Sequence, residues 1–193
     1  MKKILFAVGL MLAFVACAKD DLADRTLELC QYIPDHRLNP EAEKAMTPEF
    51  FRALSEAFEA PVADFCEIGD NEWLYYFVTG NGGGEPVYSV KSVNKTGKNT
   101  AQATIIVQLK WEDGTFAEGA GKEYEVSLKR VKGQWLLDDF DNKKAECRSY
   151  IQQVREKYVS GYYVKYLESS DYTKEYVPEF LKQLEAFYAK YGK

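Results

Sequence analysis

The chain has 193 residues with a formal net charge of −5 and a pI near 5.1, which argues against a protein that grips a nucleic-acid backbone. Hydrophobic residues at 46% and charged residues at 28% exclude a collagen-like, coiled-coil or wholly disordered chain. His36, the single histidine, leaves little room for histidine-based catalysis or metal binding.

Lys2 and Lys3 precede an apolar run over residues 4–15, followed by Ala16 and Cys17. A basic start, about a dozen apolar residues and a small residue form a secretory leader. The run is shorter than the roughly 20 residues that cross a bilayer. The segment Phe14-Val15-Ala16-Cys17 resembles a lipobox, with Phe14 where the usual pattern has leucine. That resemblance implies cleavage before Cys17, a diacylglycerol on its sulfur and a further acyl chain on its amine. Two or more acyl chains anchor a protein stably. Cys17-Ala18-Lys19-Asp20-Asp21 looks like the surface-export signal of Bacteroidetes lipoproteins, although a charged stretch also serves as a plain solvated tether. The expected address is the bacterial outer membrane, lipid-anchored through Cys17, with cell-surface display and a periplasm-facing position both open. The expected organisation is a leader over 1–16, a lipidated tether over 17–21 and one α+β domain over 22–193. Within that domain, 22–143 form the core unit and 144–193 a C-terminal helical extension.

Residues 22–33 read as a first helix, with Leu22, Leu29, Cys30 and Ile33 available for an apolar face and Pro34 after it. Thr47-Pro48-Glu49 starts a second helix: a capping hydroxyl, then proline at the first helical position. Phe50, Phe51, Leu54, Ala57 and Phe58 follow at helical spacing until Pro61. Five strands are expected next. Residues 73–78 are densely aromatic, and 87–93 form a second strand. Residues 103–111 alternate strictly, as do 123–129. Residues 134–140 come last, after Lys132-Gly133, a pair suited to a tight hairpin. Such alternation points to an antiparallel sheet with one buried face. After Asn142, Cys147, Ile151, Val154 and Tyr158 form a helical stripe continuing towards Tyr162, Tyr166 and Leu167. A final helix carries Val177, Phe180, Leu181, Leu184, Phe187, Tyr188 and Tyr191 at spacings of three and four. Its start, Val177-Pro178-Glu179-Phe180-Leu181, echoes Thr47-Pro48-Glu49-Phe50-Phe51. A partial duplication and the common form of a Pro-Glu helix start both account for the echo.

Besides Cys17 there are Cys30, Cys66 and Cys147. An exported compartment allows one disulfide, and all three pairings are open. No Cys-x-x-Cys spacing suggests zinc or a redox motif, and free thiols packed as small apolar residues are the commoner outcome.

The helix pair, the sheet and its closing segment Gly133-Gln134-Trp135-Leu136-Leu137-Asp138-Asp139-Phe140 resemble the nuclear transport factor 2-like superfamily, and more narrowly its uncharacterised bacterial lipoproteins. The resemblance covers roughly residues 22–151. It implies a curved antiparallel sheet of about five strands, a cone-like half-barrel with helices packed against it. The superfamily holds small isomerases and dehydratases as well as non-catalytic binding modules, so the fold does not choose a function.

Candidate chemistry is sparse. Asp138 and its neighbour Asp139 point to opposite faces of a regular strand, so they cannot form a close acid/base pair. On such a strand Asp139 shares its face with Trp135 and Leu137, apolar walls of the kind that suit a general base. A strand-end carboxylate capping the next turn is the plainer reading. The glycine run over 80–84 lacks the lysine and hydroxyl of a phosphate loop. Fourteen tyrosines and three tryptophans are the compositional outlier, with Trp73, Tyr75, Tyr76, Trp111 and Trp135 as candidates for a ligand-facing set and core packing as the plainer reading. The first expectation is a lipid-anchored envelope protein acting as a non-enzymatic binding or assembly module for a protein or small ligand. The alternative is a small cone-pocket isomerase or dehydratase with Asp139 as base. No cofactor, metal or nucleic acid is expected, and a homodimer is left open.

Overall fold

The computed structural model describes residues 22–34, 37–62, 77–78, 84–119 and 121–193. The expected leader over 1–16 and the expected tether over 17–21, with Cys17, lie outside the described residues. So do His36, Cys66, Trp73, Tyr75, Tyr76 and residues 80–83. The elements run α1 (Leu22–Cys30), a 3-10 turn (Pro40–Lys44), α2 (Pro48–Glu59), β1 (Glu85–Lys95), β2 (Thr100–Lys110), β3 (Lys122–Val131), β4 (Gln134–Phe140), α3 (Lys143–Ser160), α4 (Tyr162–Leu167), a second 3-10 turn (Lys174–Tyr176) and α5 (Val177–Tyr191). No helix among the described residues is long and apolar enough to cross a membrane.

The chain is α+β. Its sheet has four antiparallel strands in the order β1-β2-β3-β4 among the described residues, against an expectation of five. The fifth was expected over 73–78, of which only Phe77 and Val78 are described, and these two form a bend. Phe77 is buried and stacks on Phe140 with ring centroids 5.9 Å apart, while the Tyr124 hydroxyl donates to the Val78 carbonyl. The period of two does the rest. Ala101, Ala103, Ile105 and Val107 of β2 are buried with Tyr124, Val126 and Leu128 of β3, and the intervening positions are wetter. Lys132 and Gly133 both have positive φ, which is the geometry a two-residue hairpin requires to match strand twist.

The outer edge of β4 is closed by the stretch before α2. Met46 bridges Leu137 in parallel, the Thr47 N–H donates to the Leu137 carbonyl, and the Leu137 N–H donates to Ala45. An edge strand's orphan amides are thereby satisfied. Thr47 then caps α2 by accepting the Phe50 N–H, and Pro48 occupies the first turn where no donor is missed. Phe50, Ala53, Leu54 and Ala57 turn inward onto the sheet and α3. Helix α1 packs against β4 and β1, the two outer strands, and α3 lies along α2. One hydrophobic cluster runs from Leu22 to Phe187.

Two helical expectations are corrected. Gly161 adopts the left-handed conformation at the end of α3, so the stripe of Cys147, Ile151, Val154 and Tyr158 does not pass straight on to Tyr162 and Tyr166. The turn shifts the inward face by one residue, burying Tyr163 and Leu167 and leaving Tyr162 exposed. The C-terminal helices were expected on the sheet. Among the described residues α3 packs on β4, while α5 lies chiefly on α3 through interlocked rings, with Tyr158 at 6.0 Å from Phe187 and 5.9 Å from Tyr188. Leu181, counted in the apolar stripe of α5, is 46% exposed.

Candidate functional site

The strand β4 is where sequence reading placed a general base, and its register decides the matter. Leu128 pairs with Leu137 and Ser127 with Asp139, so Asp138 is an extra residue that bulges from the strand. A bulge reverses the alternation beyond it. Asp139 therefore lies opposite Ser127, on the wetter side of the sheet, and does not share the face of Trp135 and Leu137 as expected. Its Oδ1 accepts the backbone N–H groups of Phe140 and Lys144, satisfying a free donor at the start of α3. The bulged Asp138 takes the Thr47 hydroxyl on one oxygen at 2.8 Å and Lys144 on the other at 3.0 Å, joining β4, α2 and α3. The two carboxylates act as joints.

Of the aromatic set only Trp111 and Trp135 are among the described residues, and these two lie apart. Trp135 pairs with Arg130 near the end of β3, and Trp111 lies beyond Lys110, which pairs with Glu85 at the other end of the sheet. Lys122, the partner of Val107, stands eight residues from Arg130 on β3, about 27 Å at strand rise, and Trp111 lies further out still. Trp135 is buried beneath α1, whose Arg25 guanidinium donates twice to its carbonyl. Trp111 packs over Gly84, where a Cβ would come within 3.3 Å of two of its ring carbons. The sheet's inner face is filled. Ile105, Val126, Leu128, Leu137 and Phe140 are each at most 1% exposed, in one cluster with Leu29, Phe50 and Leu54.

Two of the thiols are among the described residues. Cys30 and Cys147 are free and fully buried, and burial pushes both up to about 12, so they are neutral thiols at ordinary pH. No group of three or more acidic, cysteine or histidine side chains fit to hold a metal occurs among the described residues.

The concavity lies elsewhere, between helices. A cleft of about 1150 Å³ opens between the outer side of α2 and the end of α5, with the stretch around Leu38 as a third wall. From α2 come Phe51, Arg52, Ser55 and Phe58; from α5 come Ala186, Phe187 and Tyr191. Phe51 and Phe58 recur seven residues apart, forming a second aromatic row beside the buried row of Phe50, Leu54 and Ala57. Two adjacent rows make an apolar face wider than the sheet and α3 can cover. That width was the available signal in the sequence, where all five residues fall at helical spacing.

The cleft is braced at one end. Lys190 Nζ lies 2.6 and 2.8 Å from the two oxygens of Glu59, tying α5 to α2, and the Glu59 carboxylate holds the ammonium above its ordinary range. Behind it Arg155 of α3 pairs with Glu56 at 2.6 Å, donates to the Gly192 carbonyl at 2.6 Å and lies over the Phe187 ring. The Tyr158 hydroxyl donates to the Pro61 carbonyl at 2.6 Å, pinning the exit of α2, and burial raises this phenol strongly. These contacts hold two helices apart around an aromatic-lined space large enough for a drug-sized ligand. Set against protein-family models, curated proteins and solved structures, the chain finds no match.

Proposed function

We propose that this chain is an exported, lipid-anchored envelope protein of the bacterial outer membrane and a non-enzymatic module that binds a small ligand in the α2–α5 cleft. The cleft itself carries the binding half of the reading: about 1150 Å³ of aromatic-lined space, braced by ion pairs and remote from the filled face of the sheet. The non-enzymatic half is supported by the carboxylates of β4, which are committed to backbone and side-chain joints. The anchoring half is supported by the leader over residues 1–16 and by Cys17 behind it. The finer fold belongs to the same proposal. The helix α1 rests on both outer strands and favours a sheet bent into a cone, as in the nuclear transport factor 2-like superfamily.

Two measurements test the proposal. Cys17→Ser moves the protein from the membrane to the soluble fraction; a variant that stays membrane-bound, with no acyl chain on the wild type, refutes the anchor. For the cleft, Ala186 is exposed on its wall, so Ala186→Trp fills the space without disturbing the core. A thermal-shift screen of small apolar compounds then compares the two proteins. A ligand at about 100 times its Kd stabilises its target by about 2.7 kcal/mol. Compounds that raise the melting temperature of the wild type and not of Ala186→Trp place the ligand in the cleft. A screen in which every stabiliser acts equally on both overturns the site.

A further inference from the structure

Resting on that reading of the cleft, we infer the class of ligand it takes: an amphipathic monoanion, an apolar chain or ring system ending in one carboxylate. The argument is one of charge and shape together. The chain as a whole is acidic, with a formal net charge of −5. The cleft reverses that sign. Arg37, Arg52 and Lys190 line it against Glu43 and Glu59. Lys190 and Glu59 neutralise one another at 2.6 Å. Neither Arg37 nor Arg52 makes an ion pair or a side-chain hydrogen bond among the described residues, and Glu43 is the one acid left to set against both. Among the described lining residues one positive charge is therefore in excess inside a negatively charged protein, which is the complement of a ligand carrying one negative charge.

The form of the cation narrows the ligand further. A guanidinium presents a planar fork of donors that fits a carboxylate with two parallel hydrogen bonds, and it keeps its charge at every relevant pH. Arg52 stands seven residues before Glu59 on α2, about 10 Å along the helix axis. The free cation and the neutralised pair are thus separated along the cleft. The walls offer Phe51 and Phe58 on one side and Phe187 and Tyr191 on the other. Rings on both sides and a fork near one end match a carboxylate with an apolar body. A neutral sugar would leave the surplus charge without a partner. A dianion or a phosphate cluster would exceed the single charge in surplus.

The test uses three ten-carbon probes of equal chain and different head: decanoate, decanol and decyltrimethylammonium, each below its critical micelle concentration. Isothermal titration is run on the purified wild type, Arg52→Gln and Ala186→Trp. Decanoate binds the wild type at least tenfold more tightly than decanol, and the cation binds weakest. Arg52→Gln lowers decanoate affinity about tenfold and leaves decanol within twofold. Ala186→Trp weakens all the probes that bind. Equal affinity for decanoate and decanol, preference for the cation, or indifference of decanoate to Arg52→Gln overturns the ligand class. In those cases the site stands if Ala186→Trp still weakens binding. Binding that ignores Ala186→Trp overturns the site and the class together. If no probe binds, the class is overturned and the compound screen on the same two proteins decides the site.

Discussion

The molecule contains two helix pairs that begin alike and end differently. Before the sheet, α1 is followed by a 3-10 turn and by α2, which opens Thr47-Pro48-Glu49-Phe50. After it, α4 is followed by a 3-10 turn and by α5, which opens Val177-Pro178-Glu179-Phe180. The first pair is joined to the sheet by backbone: Met46 and Thr47 pair with Leu137, and Thr47 caps α2 with its own hydroxyl. The second has no side-chain cap at Tyr176, and it reaches the rest of the chain through rings around Tyr158, the Lys190–Glu59 ion pair and the Arg155 guanidinium donating to the Gly192 carbonyl. One sequence pattern thus yields a pair locked into the sheet's hydrogen bonding and a pair held by side chains. Side-chain contact permits a separation between helices that a backbone ladder does not, and the cleft occupies that separation.

The largest test of this contrast lies in two phenylalanines. Phe50 and Phe180 both sit in the core, and truncating either to alanine costs about 3–5 kcal/mol by lost transfer energy and the cavity left behind. The consequences are expected to differ in reach. Phe50→Ala lowers hydrogen-exchange protection throughout the sheet and α1–α3. Phe180→Ala opens α4 and α5 while the amides of β3 and β4 keep theirs, because a side-chain-held layer can unfold locally. Uniform loss of protection in Phe180→Ala breaks the distinction.

A middle-sized effect is expected at the joint. Thr47 is fully buried, caps α2 and donates to Asp138. Thr47→Val keeps the shape and removes both interactions, so it costs about 1–3 kcal/mol in chemical denaturation. A cost below about 0.5 kcal/mol would mean that the backbone bridge at Leu137 alone holds the first pair. The smallest effect belongs to the brace. Lys190 and Glu59 are both largely solvent-exposed, and a double-mutant cycle on them yields less than about 1 kcal/mol that shrinks with added salt. A coupling well above that figure would make the second pair as firmly fixed as the first.

Much of the architecture was legible along the chain. The bounds of β4, the cap and proline at the start of α2, and the alternating strands β2 and β3 follow from local rules. Their signals lie within a few residues, where spacing and hydrogen-bonding chemistry act directly. The helical break at Gly161 was harder to see, because the tyrosines on both sides fit one stripe equally well. The face of Asp139 was misread for a different reason. Alternation along β4 predicts it only while the pairing with β3 advances one residue at a time, and the bulge at Asp138 is set by Thr47 and Lys144, 91 residues before it and 6 after.

By itself, the sequence determined the α+β class, the inward face of the middle strands and the points where the helices begin. These depend on periods of 2 and 3.6 and on caps, which are properties of neighbouring residues. Only the tertiary structure decided which carboxylates are joints, which tryptophans are too far apart to cooperate and where the concavity lies. Each of those depends on the spacing between elements distant in the chain. The distance between α2 and α5 is set by the ring stack on Tyr158 and by the Lys190–Glu59 ion pair, and no local pattern encodes a distance of that kind.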